Sequence, residues 1–218
     1  MFQEKIDLLK KGIIDYAEHV ERMLVKSLDG TINRNEEILH NVIDKEEAVA
    51  NKYEIEFDEI CINYIAQYQL VGKNLRIIIS AIKMSNDLER MADHAVNIAQ
   101  NCLFLISHPF IKPFIDIPKM SAVTVGMLRD SIRSFVNEDI CLAKKVLEND
   151  NEADSLKAKV IDELTLIMSN DPKTVSRALK LINIASNLER VADLTTNICE
   201  DVIYLTEGIV VKHRIDIK

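Results

Sequence analysis

The sequence predicts an all-α protein made of two tandem, similar three-helix bundles. The first observation is a repeat: residues 88–98 return as residues 188–198, with seven of the eleven positions identical. A repeat of this length is typical of a duplicated domain. The second is that only five glycines and four prolines interrupt 218 residues, which favours long helices. The third is that apolar residues recur at helical spacing in both halves.

Three helices are expected in the first half, in up-down-up order. Gly30 ends the first of them, because glycine readily takes the left-handed conformation of a helix C-terminus. Gly72 separates the second helix from the third. Each helix needs partners for its apolar stripe, so the three form a bundle. The predicted helices span residues 3–28, 35–68 and 73–106 of a bundle that covers residues 1–107.

A proline-rich linker separates the two halves. Pro109, Pro113 and Pro118 forbid a continuous helix through residues 108–118. The linker also carries apolar side chains, which predicts that it packs against a bundle. These apolar residues are Phe110, Ile111, Phe114, Ile115 and Ile117.

The second half repeats the plan of the first. Its middle helix is expected to start at Asn149 or Asp150, where a run of capping residues occurs. Its last helix is expected to start at Asp171, an N-cap followed by proline at the first helical position. The predicted helices span residues 119–148, 149–168 and 171–206 of a bundle that covers residues 119–206, followed by an extended or disordered tail of residues 207–218.

Charge and composition exclude several classes of protein. A net charge of −8 argues against a nucleic-acid partner, which needs clustered basic residues, and suits cations or a basic protein surface. The four cysteines lack zinc-binding spacing, and thiols in apolar helices usually pack as small hydrophobes in a reducing cytoplasm. The N-terminus carries charges instead of the apolar run of a signal peptide. We therefore expect a cytoplasmic protein without membrane insertion.

Two pairs of carboxylates stand out in the repeated stretch. Glu89 and Asp93 are four residues apart, as are Glu189 and Asp193, so each pair shares one face of its helix, beside the apolar stripe. Like charges at this spacing repel each other by a few tenths of a kcal/mol. A basic neighbour or a bound cation would offset that repulsion.

Further acidic residues can extend each pair. Asp150 and Asp154 have the same spacing, and in an antiparallel bundle they and Glu200 can converge on the second pair. A site of carboxylate oxygens suits Mg²⁺, Mn²⁺ or ferric iron. In the first half Glu46 stands at the matching position. Ala50 and Gln100 replace two of the five carboxylates there, so we expect weaker binding.

Structural explanations compete with this metal-site hypothesis. Paired carboxylates on a helix are usually solvated surface charge. Asp150 can serve as a helix N-cap, and Arg90 can pair with Asp87 three residues earlier. Glu-x-x-His does not occur on two helices, as a di-iron enzyme would need. No catalytic serine or reactive cysteine motif accompanies the acids either, so the sequence does not predict an enzyme.

The repeated stretches resemble the signature of the PhoU family of phosphate-uptake regulators. The resemblance covers residues 87–98 and 187–200, and extends over the whole chain in length and spacing. It implies two similar three-helix bundles and a cytoplasmic adaptor between the ATPase of a phosphate ABC transporter and a sensor histidine kinase. It also implies a homodimer or larger oligomer, and bound iron or zinc. The residues that take the metal-binding role by motif match are Glu89, Asp93, Glu189 and Asp193, with Asp150, Asp154 and Glu200 as partners.

The chain departs from the family pattern at one place in particular. Residues 69–76 lack the proline and the aspartate that the family carries there.

Two other functions remain open beside the adaptor. One is a metal-binding helical protein that stores metal or regulates another carrier. The other is a structural helical module whose carboxylates only keep it soluble.

Overall fold

The protein is almost entirely helical over the residues that the structure describes. This computed structural model describes residues 2–211, with the backbone alone for Phe2. Seven α-helices and no strand occur within this range, so the predicted all-α class is confirmed. The helices are α1 (Phe2–Ile32), α2 (Glu36–Asn41), α3 (Glu47–Gln67), α4 (Gly72–Ile106), α5 (Asp116–Asn137), α6 (Ile140–Asn170) and α7 (Val175–Glu207).

The helix predicted over residues 35–68 is continuous but contains one irregular turn. It starts after Asn35, whose side chain accepts a hydrogen bond from the backbone N–H of Ile38 at 3.2 Å. Between α2 and α3 the chain forms a π-helical turn at Val42–Glu46. Such a turn inserts one residue into an α-helix, and it therefore changes the register of α3 relative to the second repeat.

The predicted break between the first two helices of the second half is wrong. Helix α5 ends at Asn137, because Glu138 adopts a left-handed conformation with φ of 54°. Asp139 then caps α6, accepting a hydrogen bond from the backbone N–H of Leu142 at 3.0 Å. Asp150 consequently lies in the middle of α6 and is not an N-cap.

Ion pairs from distant parts of the chain surround this turn. The Lys10 ammonium donates to a Glu138 carboxylate oxygen at 3.1 Å, and the Lys73 ammonium donates to the other oxygen. Burial alone would raise the pKa of Glu138, but these two lysines lower it below its ordinary value. The turn is thus stabilised by charges that local sequence patterns do not reveal.

Helices α4 and α7, which carry the repeated stretch, pack against each other at the centre of the molecule. Helix α1 packs on α4, α5 packs on α7, and α1 also contacts α5. Helices α3 and α6 cover the remaining sides of α4 and α7, respectively. The buried apolar residues of both halves join in a single cluster. The two repeats therefore share one core.

The linker packs against this core, as predicted, except at Ile115. The Phe110 and Phe114 rings stack with centroids 5.6 Å apart, and the Arg34 guanidinium lies 4.9 Å from the centre of the Phe110 ring. Ile115 is 67% exposed. Helix α5 begins at Asp116, three positions before its predicted start, so Pro118 occupies its first turn, where the ring is tolerated.

The chain leaves α7 at Gly208, which has φ of 75°. Residues 208–211 are not helical, and Val211 is buried. The rest of the tail, for which an extended or disordered state is expected, lies outside the described residues. No helix within residues 2–211 combines the length and the apolar character needed to cross a membrane.

Candidate functional site

The structure brings four of the predicted acidic residues together in the second repeat. Asp150 and Asp154 on α6 face Glu189 and Asp193 on α7. Burial raises the pKa of Asp150 to about 6, and the carboxylates of Asp193, Asp154 and Glu189 contribute to the rise. Burial also raises the pKa of Asp193, with Glu189 and Asp154 adding to it. We call these four residues the second-repeat cluster.

A lysine that sequence reasoning missed contacts this cluster. The Lys157 ammonium lies 2.9 Å from a Glu189 carboxylate oxygen. One of the four carboxylates is therefore matched by a basic partner. In contrast, the Oδ1 atom of Asp150 is buried and has no hydrogen-bond partner.

The first repeat holds a comparable acidic cluster with different members. Glu54 on α3 faces Glu89 and Asp93 on α4, and Asp58 lies one turn after Glu54 and acts on its carboxylate. Burial, Asp58 and Asp93 raise the pKa of Glu54. Burial, Asp93 and Glu54 raise the pKa of Glu89, with a smaller contribution from Glu47. We call these five residues the first-repeat cluster: Glu47, Glu54, Asp58, Glu89 and Asp93.

Glu46, the predicted member from this half, lies elsewhere. Its carboxylate accepts a hydrogen bond from the Lys26 ammonium and lies 3.7 Å from the Nδ1 atom of His19. Its backbone oxygen is 2.9 Å from His19 Nε2. Glu46 is therefore held by α1, not by the partners of Glu89.

The π turn explains this error. The helix after the first loop begins at Glu36 in one repeat and at Ile140 in the other, so matching positions differ by 140 − 36 = 104. The π turn at Val42–Glu46 adds one residue, and beyond it the difference is 103. Asp150 then matches Glu47, which joins the first-repeat cluster. Lys157 matches Glu54: the lysine pairs with Glu189, and the glutamate acts electrostatically on Glu89, the equivalent of Glu189.

Glu200, the last predicted member, does not join the second-repeat cluster. It lines a separate small cleft of about 170 Å³ beside Lys83, Asp201 and Tyr204. The Lys83 ammonium donates to an Asp201 carboxylate oxygen there, at 2.8 Å, and so links α4 to α7.

A tyrosine lies beneath the first-repeat cluster. Tyr16 on α1 is 0% exposed, and its hydroxyl has no hydrogen-bond partner. Its ring stacks on that of Tyr53, with centroids 4.9 Å apart. The pKa of Tyr16 is raised, first by burial and then by Glu54, Glu89 and Asp93. The sequence pattern did not predict this position of Tyr16 behind the acids.

Between the two clusters, the paired α4 and α7 form an open cleft of about 590 Å³. Arg90 and Arg190 lie in this cleft, and Arg90 also lies 3.5 Å from Asp87, as one structural explanation proposed. His94 Nδ1 is 2.8 Å from Asn187 Oδ1. Burial is the main reason why the pKa of His94 is lowered. The cleft is lined by Arg90, Asp93, His94, Asn97, Arg190, Asp193, Leu194, Thr196 and Asn197.

The donor atoms of both clusters are of the kind that a hard cation prefers, although they are not arranged in a coordination geometry. Within residues 2–211, no three Asp, Glu, His or Cys side chains already stand in a metal-holding arrangement. The donors are nonetheless all oxygens, which hard cations prefer. Asp58 Oδ1 and Asp150 Oδ1, one in each cluster, are buried without partners. A bound cation would supply the missing contact, and it would relieve the repulsion that adds to the effect of burial in raising the pKa values of Glu54, Glu89, Asp150 and Asp193.

Comparison with known proteins places the chain in a family. The model of the PhoU domain matches twice, over residues 13–102 and 117–202. The chain belongs to the PhoU family. The matches cover both repeats, and each contains one of the acidic clusters.

Relatives match along almost the full length. A protein of Aquifex aeolicus named phosphate-specific transport system accessory protein PhoU homolog is 36% identical, over 98% of this chain and 96% of its own. Homolog 2 of Thermotoga maritima is 35% identical, over 95% of this chain and 88% of its own. The crystal structure of PhoU from Pseudomonas aeruginosa superposes with a TM-score of 0.90 at 26% identity, covering 96% of this chain and 100% of that one.

Proposed function

We propose that this protein is a cytoplasmic regulator of phosphate uptake that acts by binding and not by catalysis. The observation that carries this proposal is the match of both PhoU domains, together with relatives named as accessory proteins of phosphate-specific transport systems. On this proposal, the partners of the protein are the ATPase of a phosphate ABC transporter and a sensor histidine kinase. The full-length coverage supports transfer of the role to the whole chain.

The proposed mechanism uses the core that the two repeats share and the charged faces on it. Helices α4 and α7 share one core and hold both acidic clusters at fixed positions. A partner that contacts these faces differently in two of its own conformations favours one docked state over the other. The transporter conformation would thus determine whether the kinase is engaged.

We also propose that the two acidic clusters bind metal ions. The sites are supported by the fit of an all-oxygen donor set to hard cations and by the unpartnered carboxylate oxygens of Asp58 and Asp150. The ions would be divalent or ferric: iron, zinc, magnesium or manganese. On this proposal, the bound ions neutralise the carboxylates of each cluster, which repel one another in the metal-free protein.

Binding assays with the full-length protein test the adaptor role. Immobilised protein, with and without added metal, would be incubated with the transporter ATPase and separately with the cytoplasmic part of the sensor kinase. We expect both to be retained, whereas an unrelated ATPase is not. Absence of binding to either partner in both conditions would contradict the adaptor. Metal loading without partner binding would favour metal storage or regulation of another carrier.

Metal analysis tests the second-repeat cluster directly. In the double variant Glu189→Gln and Asp193→Asn, two of its four ligands are lost, so the bound metal per chain should fall. Glu56→Gln is the control, because Glu56 is an exposed acid that pairs with Lys52 outside both clusters. Unchanged metal content in the double variant would show that the assignment is wrong.

A homodimer is the third part of the proposal. On α3 the side chains of Ile55 and Ile62 are 61% and 62% exposed, and positions seven residues apart share one helix face. Exposed apolar side chains grouped on one face are typical of protein interfaces. Sedimentation equilibrium of the double variant Ile55→Ser and Ile62→Ser, compared with wild type, tests whether this face joins two copies.

A further inference from the structure

The Tyr16 hydroxyl is the starting point, because it is both fully buried and unpartnered. The contacts between α1 and α3 fix its height in the bundle. A Cβ atom at Gly12 would lie 2.7 Å from the tip of the Phe57 ring, and one turn later Tyr16 stacks on Tyr53. This packing sets the phenol next to Glu54, the residue after Tyr53. A buried hydroxyl without a hydrogen bond is unfavourable, so its retention needs a reason.

The carboxylates around this hydroxyl do not reach it. Glu54, Glu89 and Asp93 are close enough to act on the Tyr16 phenol electrostatically, yet none accepts a hydrogen bond from it. The phenol oxygen and these carboxylates are therefore neighbours that share no hydrogen bond. A cation bound between them would contact the phenol oxygen and the carboxylates at once.

The second repeat has neither a buried phenol at the position of Tyr16 nor a carboxylate at the position of Glu54. The ends of α1 and α5 carry the same backbone hydrogen bond, from Asn35 N–H to the Gly30 oxygen and from Asp139 N–H to the Ser134 oxygen. Matching positions therefore differ by 139 − 35 = 104, and Tyr16 corresponds to Met120. Met120 is buried and apolar. Lys157, which corresponds to Glu54, places an ammonium on Glu189. One cluster thus has carboxylates and a phenol, and the other has carboxylates and a lysine.

We propose that Tyr16 is a metal ligand of the first-repeat cluster and that its phenolate oxygen makes this cluster select ferric iron over divalent cations. Phenolate is a hard anionic donor, and a trivalent hard cation gains most from an additional negative oxygen. On binding, the phenol oxygen forms a bond to iron and its proton passes to solvent, as is general for metal ligands that must deprotonate. Iron enters and remains ferric, so no electron is transferred. The inference rests on the metal binding proposed above.

Visible absorption of the iron-loaded protein tests the proposal. Full-length metal-free protein would be titrated with ferric citrate, and iron per chain would be measured in parallel. A ferric phenolate gives a charge-transfer band in the visible region, which carboxylate ligands do not produce. We expect this band in the wild type, its loss in Tyr16→Phe, and its retention in Tyr53→Phe, which alters the stacked neighbour only.

A second readout separates coordination from a structural effect. The metal-free Tyr16→Phe variant should be at least as stable to urea as the wild type, because it lacks the unpartnered hydroxyl. After loading, its preference for ferric iron over Mn²⁺ in competition should fall at least tenfold. The double variant Glu189→Gln and Asp193→Asn should keep the band, since it changes the other cluster.

The outcomes distinguish this inference from the proposed metal binding. If iron binds but no phenolate band appears, or if the band survives in Tyr16→Phe, Tyr16 is not a ligand and only this inference fails. If the protein takes up neither iron nor any other cation, the proposed metal binding fails, and this inference fails with it.

Discussion

The pKa of Asp150 depends on its burial and on the carboxylates around it. It lies in the middle of α6 among three other carboxylates, and one of its oxygens has no partner. Burial is the main cause of its raised pKa, and repulsion from Asp193, Asp154 and Glu189 adds to it. The metal-free fold therefore holds a carboxyl group that prefers its proton in the range where an isolated aspartate has lost it.

This raised pKa predicts a pH dependence of stability. The ordinary pKa of 3.8 rises to about 6 in the fold, so the folded state binds the proton more tightly than the unfolded state. The contribution is present below pH 3.8 and is lost as the pH rises through about 6. We expect the unfolding free energy of metal-free protein to fall over this window by about 1–2 kcal/mol, discounted for solvent screening.

Urea denaturation at several pH values checks this expectation. Asp150→Asn should weaken the pH dependence and raise stability at neutral pH, because the amide carries no charge. Asp162→Asn, an exposed site on the same helix, is the control and should leave the dependence unchanged. An equally steep fall in Asp150→Asn would show that other groups cause it.

At the scale of helices, the sequence predicts most elements and fails where distant contacts decide. The apolar periodicity predicted α1, α4 and α7 to within a few residues, since each helix has a clear buried stripe. The sequence predicts the break between α5 and α6 at Asn149 or Asp150, where a capping pattern occurs. The true break at Glu138 is missed because the lysines that stabilise it come from other helices. Local signals cannot report such contacts.

The candidate site follows the same division. The repeat identified the carboxylates of α4 and α7, because their spacing within one helix is readable from the chain. Across helices, the match of Glu46 to Asp150 failed by one residue, since an inserted π turn leaves no clear local pattern. The position of Tyr16 was missed for a different reason: periodicity can predict that a side chain is buried, but not which side chains lie beyond its ring.

Two glycines in helix interiors give a matched test of packing between elements. A Cβ atom at Gly12 would lie 2.7 Å from the Phe57 ring, whereas one at Gly126 would meet nothing within 4 Å. Alanine favours a helix over glycine by about 1 kcal/mol, so Gly126→Ala should stabilise the protein. Gly12→Ala should destabilise it by about 1 kcal/mol, since overpacking typically costs about 1–3 kcal/mol. Urea denaturation measures both, and equal effects would contradict the close α1–α3 contact.

At the scale of the molecule, the two repeats carry different acidic clusters on one shared core. Each repeat contributes its own acidic cluster, yet the apolar residues of both belong to a single cluster. The Lys83–Asp201 pair crosses between the repeats, with the aspartate buried. The halves are therefore expected to unfold together, although each matches the family model by itself.

Removing the lysine of that pair tests whether the repeats are coupled. Lys83→Met should lower the unfolding free energy by about 1–3 kcal/mol, because it withdraws a charged partner from the buried Asp201 carboxylate. Lys52→Met breaks only the exposed pair with Glu56 and should change it by less than about 1 kcal/mol. Circular dichroism and tyrosine fluorescence should still follow one coincident transition in both variants. Two separated transitions would mean that the two repeats unfold independently. In that case, a structural change at one acidic cluster could not be transmitted to the other cluster through the shared core.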